Sequence, residues 1–314
     1  MGSTDSRRES IVPSNAGTPD AEPEASSQND KLAQVWQFGE DRFDPNSEGP
    51  RAIAIDADGS LFVFEYGKDG RCLVFDRAGN LVAGSISVGW CSEAVRVGTS
   101  LFLTVPSGSL VKFDTVSLQP SPALKVADER ARWLCNAICS ADGIVYVCAG
   151  DEGRVQKFDL SLQPRGDWTA PAHLREMDAA DGTLYALARE SGQSTVHAFS
   201  VSGSSLPTAE GDPLVLPANI SDLCALSEHR VLLVNESGEL LQYKVESAES
   251  GITWKLQGRT DLASEGWILS PNTVLRAAYD ASAEILYLTF PPPHARVVAV
   301  PYSATDARRI RNPR

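Results

Sequence analysis

Lys112-Phe113-Asp114, followed by Ser117-Leu118-Gln119-Pro120, returns as Lys157-Phe158-Asp159, followed by Ser161-Leu162-Gln163-Pro164. The triplet shifts by 45 residues and the tetrapeptide by 44. Self-similarity at a period of about 45 residues marks an array of supersecondary units, none of which buries its apolar surface alone. Working outward, a short apolar strand with an aromatic second residue recurs as Leu61-Phe62-Val63-Phe64, Leu101-Phe102-Leu103, Val145-Tyr146-Val147, Leu184-Tyr185-Ala186-Leu187 and Leu286-Tyr287-Leu288. Val231-Leu232-Leu233-Val234 takes the same place without the aromatic, which makes six repeats.

Each repeat holds further strands at similar offsets. A small-residue apolar strand precedes the aromatic one, as in Ala52-Ile53-Ala54-Ile55 and Ala137-Ile138-Cys139. Between them stand Asp58-Gly59, Asp142-Gly143 and Asp181-Gly182. Asp-Gly between apolar runs predicts a tight hairpin, because primed turns need positive φ. A third strand ends near Phe75, Phe113, Phe158, Phe199, Tyr243 and Val300. Fourth strands are expected at Leu81-Val82-Ala83, Ala123-Leu124-Lys125-Val126, Asp167-Trp168-Thr169, Leu214-Val215-Leu216 and Trp254-Lys255-Leu256. Four short antiparallel strands per repeat describe a propeller blade. The sixth repeat lacks a fourth strand, and an extra strand at 32–38 precedes the first repeat. The fold class expected is therefore all-β: a six-bladed β-propeller over 32–305, its last blade completed by the N-terminal strand.

The 314 residues carry 28 Lys+Arg against 41 Asp+Glu, a net charge of −13. That balance argues against a nucleic-acid partner, because phosphate binding needs clustered cations. Residues 1–31 are read as an acidic disordered tail, rich in Ser, Pro, Asp and Glu. Residues 306–314 form a basic tail with Arg308, Arg309, Arg311 and Arg314. No apolar run of signal-peptide length follows Met1, so a cytoplasmic location is expected. Gly2 followed by Ser6 fits the myristoylation pattern, and a single acyl chain there would give only a reversible membrane tether. The six cysteines show no C-x-x-C spacing and are expected to be buried and reduced. His173, His197, His229 and His294 occupy unequal places in the repeats, which offers no zinc site. No cofactor or metal is expected, and the propeller is expected to be monomeric.

Residues 49–63, with Arg71-Cys72-Leu73-Val74-Phe75 and Ala78-Gly79-Asn80 after them, resemble an NHL repeat, as do residues 136–159. The Asp that such repeats carry after the aromatic strand is replaced by Glu65, and the Gly-His and Trp-Asp signatures of WD repeats are absent. The resemblance implies a recognition platform for proteins or RNA. Aligning the repeats on the aromatic strand superposes Ala52, Ser92, Asn136, Arg175, Asp222 and Arg276 near the axis. Asn136, Arg175, Asp222 and Arg276 are thus the candidate ligand residues at the channel mouth, suited to a small anion or an acidic peptide. Trp90, Trp133 and Trp267 each precede a first strand and are candidate rim residues. The expected function is a binding module for a protein segment or small anion, with no catalytic residues. An alternative rests on similarity to gluconolactonase-like and senescence-marker-like propellers, which hold a divalent cation with Glu, Asn and Asp; Glu48, Asn136 and Asp222 superficially match. A second alternative is an RNA-binding NHL propeller.

Overall fold

The structure is a computed structural model. It describes residues 36–39, 41–44, 47–67, 69–105, 107–126, 137–149, 153–201, 208–209, 211–216, 220–248, 251–264, 267 and 275–302. The tails at 1–31 and 306–314, Gly2, Trp133, Cys135 and Asn136 lie outside the described residues.

Every regular element among the described residues is a strand. Strand β1 (Trp36–Phe38) comes first. Blade one is β2 (Pro50–Ile55), β3 (Leu61–Glu65), β4 (Arg71–Phe75) and β5 (Leu81–Ser87). Blade two is β6 (Glu93–Val97), β7 (Ser100–Val105), β8 (Ser109–Asp114) and β9 (Leu124–Lys125). Blade three is β10 (Ile138–Ala141), β11 (Ile144–Ala149), β12 (Arg154–Phe158) and β13 (Pro164–Thr169). Blade four is β14 (Leu174–Ala180), β15 (Thr183–Glu190) and β16 (Gln193–Ser200), with its outer place divided between β17 (Thr208–Ala209) and β18 (Leu214–Leu216). Blade five is β19 (Ile220–Ser227), β20 (Arg230–Asn235), β21 (Glu239–Ala248) and β22 (Gly251–Asp261). Blade six is β23 (Arg276–Asp280), β24 (Ile285–Phe290) and β25 (Arg296–Pro301), completed by β1. Trp36, Gln37 and Phe38 pair with Ala299, Val298 and Val297, so the expected closure by the N-terminal strand is what forms.

The core explains why the ring must close. It falls into six apolar clusters, each between two neighbouring blades. Between blades three and four, for example, Tyr146, Cys148 and Trp168 pack on Leu184, Ala186 and Phe199. Between blades six and one, Tyr287, Val297 and Ala299 pack on Leu61, Val63 and Phe75. The aromatic second residues Phe62, Phe102, Tyr146, Tyr185 and Tyr287 are all buried, as is Leu232 in the fifth repeat. Each such side chain contributes roughly 1.5–3 kcal/mol on leaving water. The five described cysteines are buried and free.

The Asp-Gly turns divide into two kinds. Asp142-Gly143 and Asp181-Gly182 have positive φ at both residues (51° and 73°, 49° and 83°), as the tight hairpin requires. At Asp58-Gly59 only the glycine is left-handed (φ 85°), and Asp56 bonds across a longer loop to Ser60 (2.8 Å). The same dipeptide thus closes two loops of different length.

Closure makes a prediction. Phe38 lies 5.0 Å from the Phe75 ring, so Phe38→Ala should cost about 2 kcal/mol in urea unfolding. A chain beginning at Gly39 should expose the β25 edge and self-associate in size-exclusion chromatography. A stable monomer of that shortened chain would contradict the role given to β1.

Candidate functional site

The first strands of the six blades touch one another in a closed ring, β2-β6-β10-β14-β19-β23 and back to β2. They line a half-open axial cavity of about 270 Å³. Which side chain each strand sends to its mouth depends on the hairpin that follows. Blades two, three and four have two-residue turns, shown by the pairs Val97 with Ser100, Ala141 with Ile144 and Ala180 with Thr183. Blade one closes between Ile55 and Leu61, blade six between Asp280 and Ile285, and blade five inserts a bulge between Ala225 and Ser227. The shorter turns advance the inward position by one residue.

That shift corrects the expected site. Glu93 pairs with Thr104 just as Ala52 pairs with Phe64, so Glu93 and not Ser92 takes the mouth position of blade two. In blade four, Arg175 falls in a bulge between Leu174 and Glu176, and Glu176 lines the cavity instead. In blade three, Cys148 N donates to Ala137 O (3.0 Å), which puts buried Ala137 at the equivalent place, while Asn136 lies outside the described residues. Asp222 and Arg276 stand where the alignment expects them.

Arg276 is the centre of the assembly. Its Nη2 lies 3.0 Å from Glu93 Oε1, and its Nη1 contacts Glu176 Oε1 and lies 3.4 Å from Asp222 Oδ1. The same Nη1 donates to Ser221 O (2.9 Å). The guanidinium thus crosses the axis from blade six to blades two and four while holding its neighbour, blade five. Its own backbone N–H donates to Thr289 Oγ1 (3.2 Å), and Glu93 N donates to Thr104 Oγ1 (3.2 Å), the same device at equivalent places. Asp222 Oδ2 accepts from Ala277 N (2.5 Å). Below it, Asp178 accepts from Ala225 N and from Ala179 N (both 2.8 Å), again tying one blade to the next. At the far end of the cavity Arg96 pairs with Asp56 across blades two and one.

One guanidinium therefore serves three carboxyl groups, with a fourth close by, and burial does the rest. Burial pushes the Glu93 carboxyl up to about 7, with Arg276 opposing the rise. Glu176 is held well above its ordinary range by burial, again against Arg276. Burial raises Asp222 too, and it raises Asp178 to about 7 despite two backbone donors. Burial works against the charge on Arg276, but Glu176, Glu93 and Asp222 outweigh it and keep the guanidinium charged.

The rim tryptophans part company. Trp90 is 38% exposed and sets its ring against Tyr66 (centroids 4.7 Å apart). Arg51 lies over the same Tyr66 ring at 4.3 Å. Trp267, by contrast, is 5% exposed and stacks on Phe290 (5.6 Å) among the side chains between blades five and six. It is a wedge between blades and not a rim residue, because it is buried in the apolar cluster that joins blades five and six. Glu65, the residue that departs from the NHL pattern, is buried and holds the approach to blade one. It accepts from Asp44 N (2.6 Å) and pairs with Arg71 (2.5 Å).

The side chains do not fit the divalent cation of the lactonase-like propellers. Arg276 occupies the centre of the carboxylate group, where a metal would meet a fixed positive charge. Glu48 is 64% exposed and lies 3.8 Å from Arg51. Among the described residues no group of three His, Cys, Asp or Glu side chains is arranged to hold a metal ion.

No protein-family model matches the sequence, and no curated protein matches it either. Solved structures do match in fold. The WD40 repeats of RRP9 share 12% identity over 86% of this chain and 97% of that one, with a TM-score of 0.58. U3-55K shares 13% over 80% of each chain, with a TM-score of 0.54. Streptogramin B lyase shares 7% over 85% of this chain and 96% of that one, with a TM-score of 0.53. At these identities the likeness is one of propeller fold.

The central pairing is testable. Arg276→Met leaves three buried carboxyl groups without their cation and should cost about 3–5 kcal/mol in urea unfolding at neutral pH. Adding Glu93→Gln and Glu176→Gln should recover much of that loss, because the uncompensated charge is then gone. Unchanged stability in Arg276→Met would show that the guanidinium does not hold the axis.

Proposed function

We propose that the protein is a recognition module, NHL-like in its repeats, that binds a protein segment at the mouth of the axial cavity through a basic side chain of that segment. The observation that carries this reading is the charge of the mouth: Glu93, Glu176 and Asp222 crowd on the guanidinium of Arg276 in the half-open cavity, with Asp178 in the same lining and Arg96 already paired with Asp56. A lysine or arginine entering there meets carboxyl groups short of cations. Trp90, exposed at the start of blade two on the same face, adds a large surface at little entropic cost.

The anionic ligand expected from the aligned arginines fits less well. Arg276 is already taken by three carboxyl groups, and Arg175 lies in a bulge outside the cavity lining. The same acidity disfavours RNA, whose phosphates would meet carboxylates at the axis. Rigid blades with variable connecting loops suit a scaffold, since the stage stays fixed while the loops set specificity.

Selection from a random peptide library on the immobilised protein tests the proposal. Lys- or Arg-containing peptides should be enriched. Trp90→Ala should weaken the selected peptides at least about tenfold, the loss of a typical aromatic anchor. Val116→Ala, at an exposed turn after β8 on the opposite face, should leave them unchanged. Enrichment of acidic peptides, or equal effects of the two substitutions, would overturn the reading.

A further inference from the structure

We propose that Glu93 and Glu176 share one proton beneath Arg276, and that losing it as the pH rises loosens the axis where blades two, four and six meet. The proposal stands whether or not the mouth binds a protein segment, and its test uses the protein alone.

The geometry sets the demand. Arg276 Nη1 is divided among Glu176, Asp222 and Ser221 O, and its Nη2 faces Glu93 Oε1. Glu93 Oε1 is fully buried, and no donor is aligned on it as a hydrogen bond even though Nη2 is 3.0 Å away. The two glutamate carboxyl groups are held on the two Nη atoms of one guanidinium, which makes them close neighbours. Ionised carboxylates only accept, so a bond between them requires one to carry a proton. The situation is that of two acids sharing a site, where both cannot ionise together.

The other lining elements offer no relief. From β19, Asp222 is committed to Ala277 N, and Cys224 is a neutral thiol. From β14, Asp178 is committed to two backbone donors. β10 contributes Ile138 and Ser140, and β2 contributes Ile53, Ala54 and Ile55. Tyr279 of β23 lines the cavity too. Arg51, at the start of β2, adds a weaker attraction on Glu93, and Arg96 of β6 is paired with Asp56. Among the described residues, nothing else supplies a cation to the pair.

The folded protein thus binds this proton more tightly than the unfolded chain. The stability it confers is full below the unfolded glutamate value and is lost as the pH rises through about 7. Above that, blades two and four each present an ionised carboxylate to the other across the axis. The latch is closed on the acid side and slack on the alkaline side, the reverse of the usual carboxylate behaviour.

Thermal unfolding of the wild type, Glu93→Gln and Glu176→Gln from about pH 5.5 to about pH 8.5 tests the latch. The wild-type Tm should fall by roughly 4 °C or more over that range, and the fall should be smaller in either variant, whose amide has no such proton to lose, the remainder belonging to Asp178, which burial also raises to about 7 and which titrates alike in all three proteins. Amide exchange adds a local reading. Protection at Ala277, corrected for intrinsic rate, should drop at least about tenfold in the wild type only. Equal pH slopes in all three proteins, or a wild-type Tm that rises with pH, would overturn the proposal. Should the glutamine variants fail to fold, carboxyl-carbon NMR of the wild type decides. A linked titration of the two glutamates near neutrality supports the shared proton, and independent titration of both near pH ~4 refutes it.

Discussion

The structure depends on one constraint: no blade is finished until both of its neighbours are in place. The second strands are apolar on both faces, as in Leu61-Phe62-Val63-Phe64, and all four of those side chains are buried. An open row of such sheets would leave two apolar faces in water. Closing the row covers the last pair, and the three-residue β1 also caps the edge of β25. Ring closure is therefore hydrophobic in its driving force and hydrogen-bonded in its register.

Closure has a consequence at the axis. Six first strands must converge, so their small residues, Ala52, Ala137 and Ala277 among them, make room while a few polar side chains fill the mouth. One arginine then serves as the cation at their centre. A buried ion cluster of this kind adds little net stability over an apolar core. It does fix which blades face one another, because Arg276 reaches its partners only when blades two, four, five and six are all in position. The surplus carboxyl groups leave the cavity with an appetite for positive charge. That surplus joins the binding reading to the proton reading: a guest cation and a shared proton are two answers to the same deficit.

Much of this was legible in the residues. The Lys-Phe-Asp echo at 112 and 157 gave the period, the aromatic second residues gave the count, and the spare strand at the start foretold the closure. Asp222 and Arg276 stand at the mouth because blade five adds a bulge before its turn and blade six has a longer turn. Glu93 and Glu176 were missed by one residue for a physical reason. Asp181-Gly182 closes a two-residue turn and Asp58-Gly59 a longer loop, so the dipeptide alone does not reveal how many residues separate the paired strands. Pairing each first-strand residue with the one two places after the buried aromatic would have found them, given the turn lengths. Trp267 was misplaced for a different reason. A tryptophan before a strand satisfies the pattern of a rim residue and of a wedge equally well, and only packing against Phe290 separates the two.

The most direct measurement of the central claim, that Arg276 is tied at once to carboxyl groups of blades two, four and five, is nitrogen NMR of its guanidinium at neutral pH. A guanidinium held on both Nη atoms should give two distinct, slowly exchanging Nη signals, with Glu176→Gln altering Nη1 more than Nη2. A single averaged Nη signal, as a freely rotating surface arginine shows, would contradict the ion cluster and with it the reading of the axis.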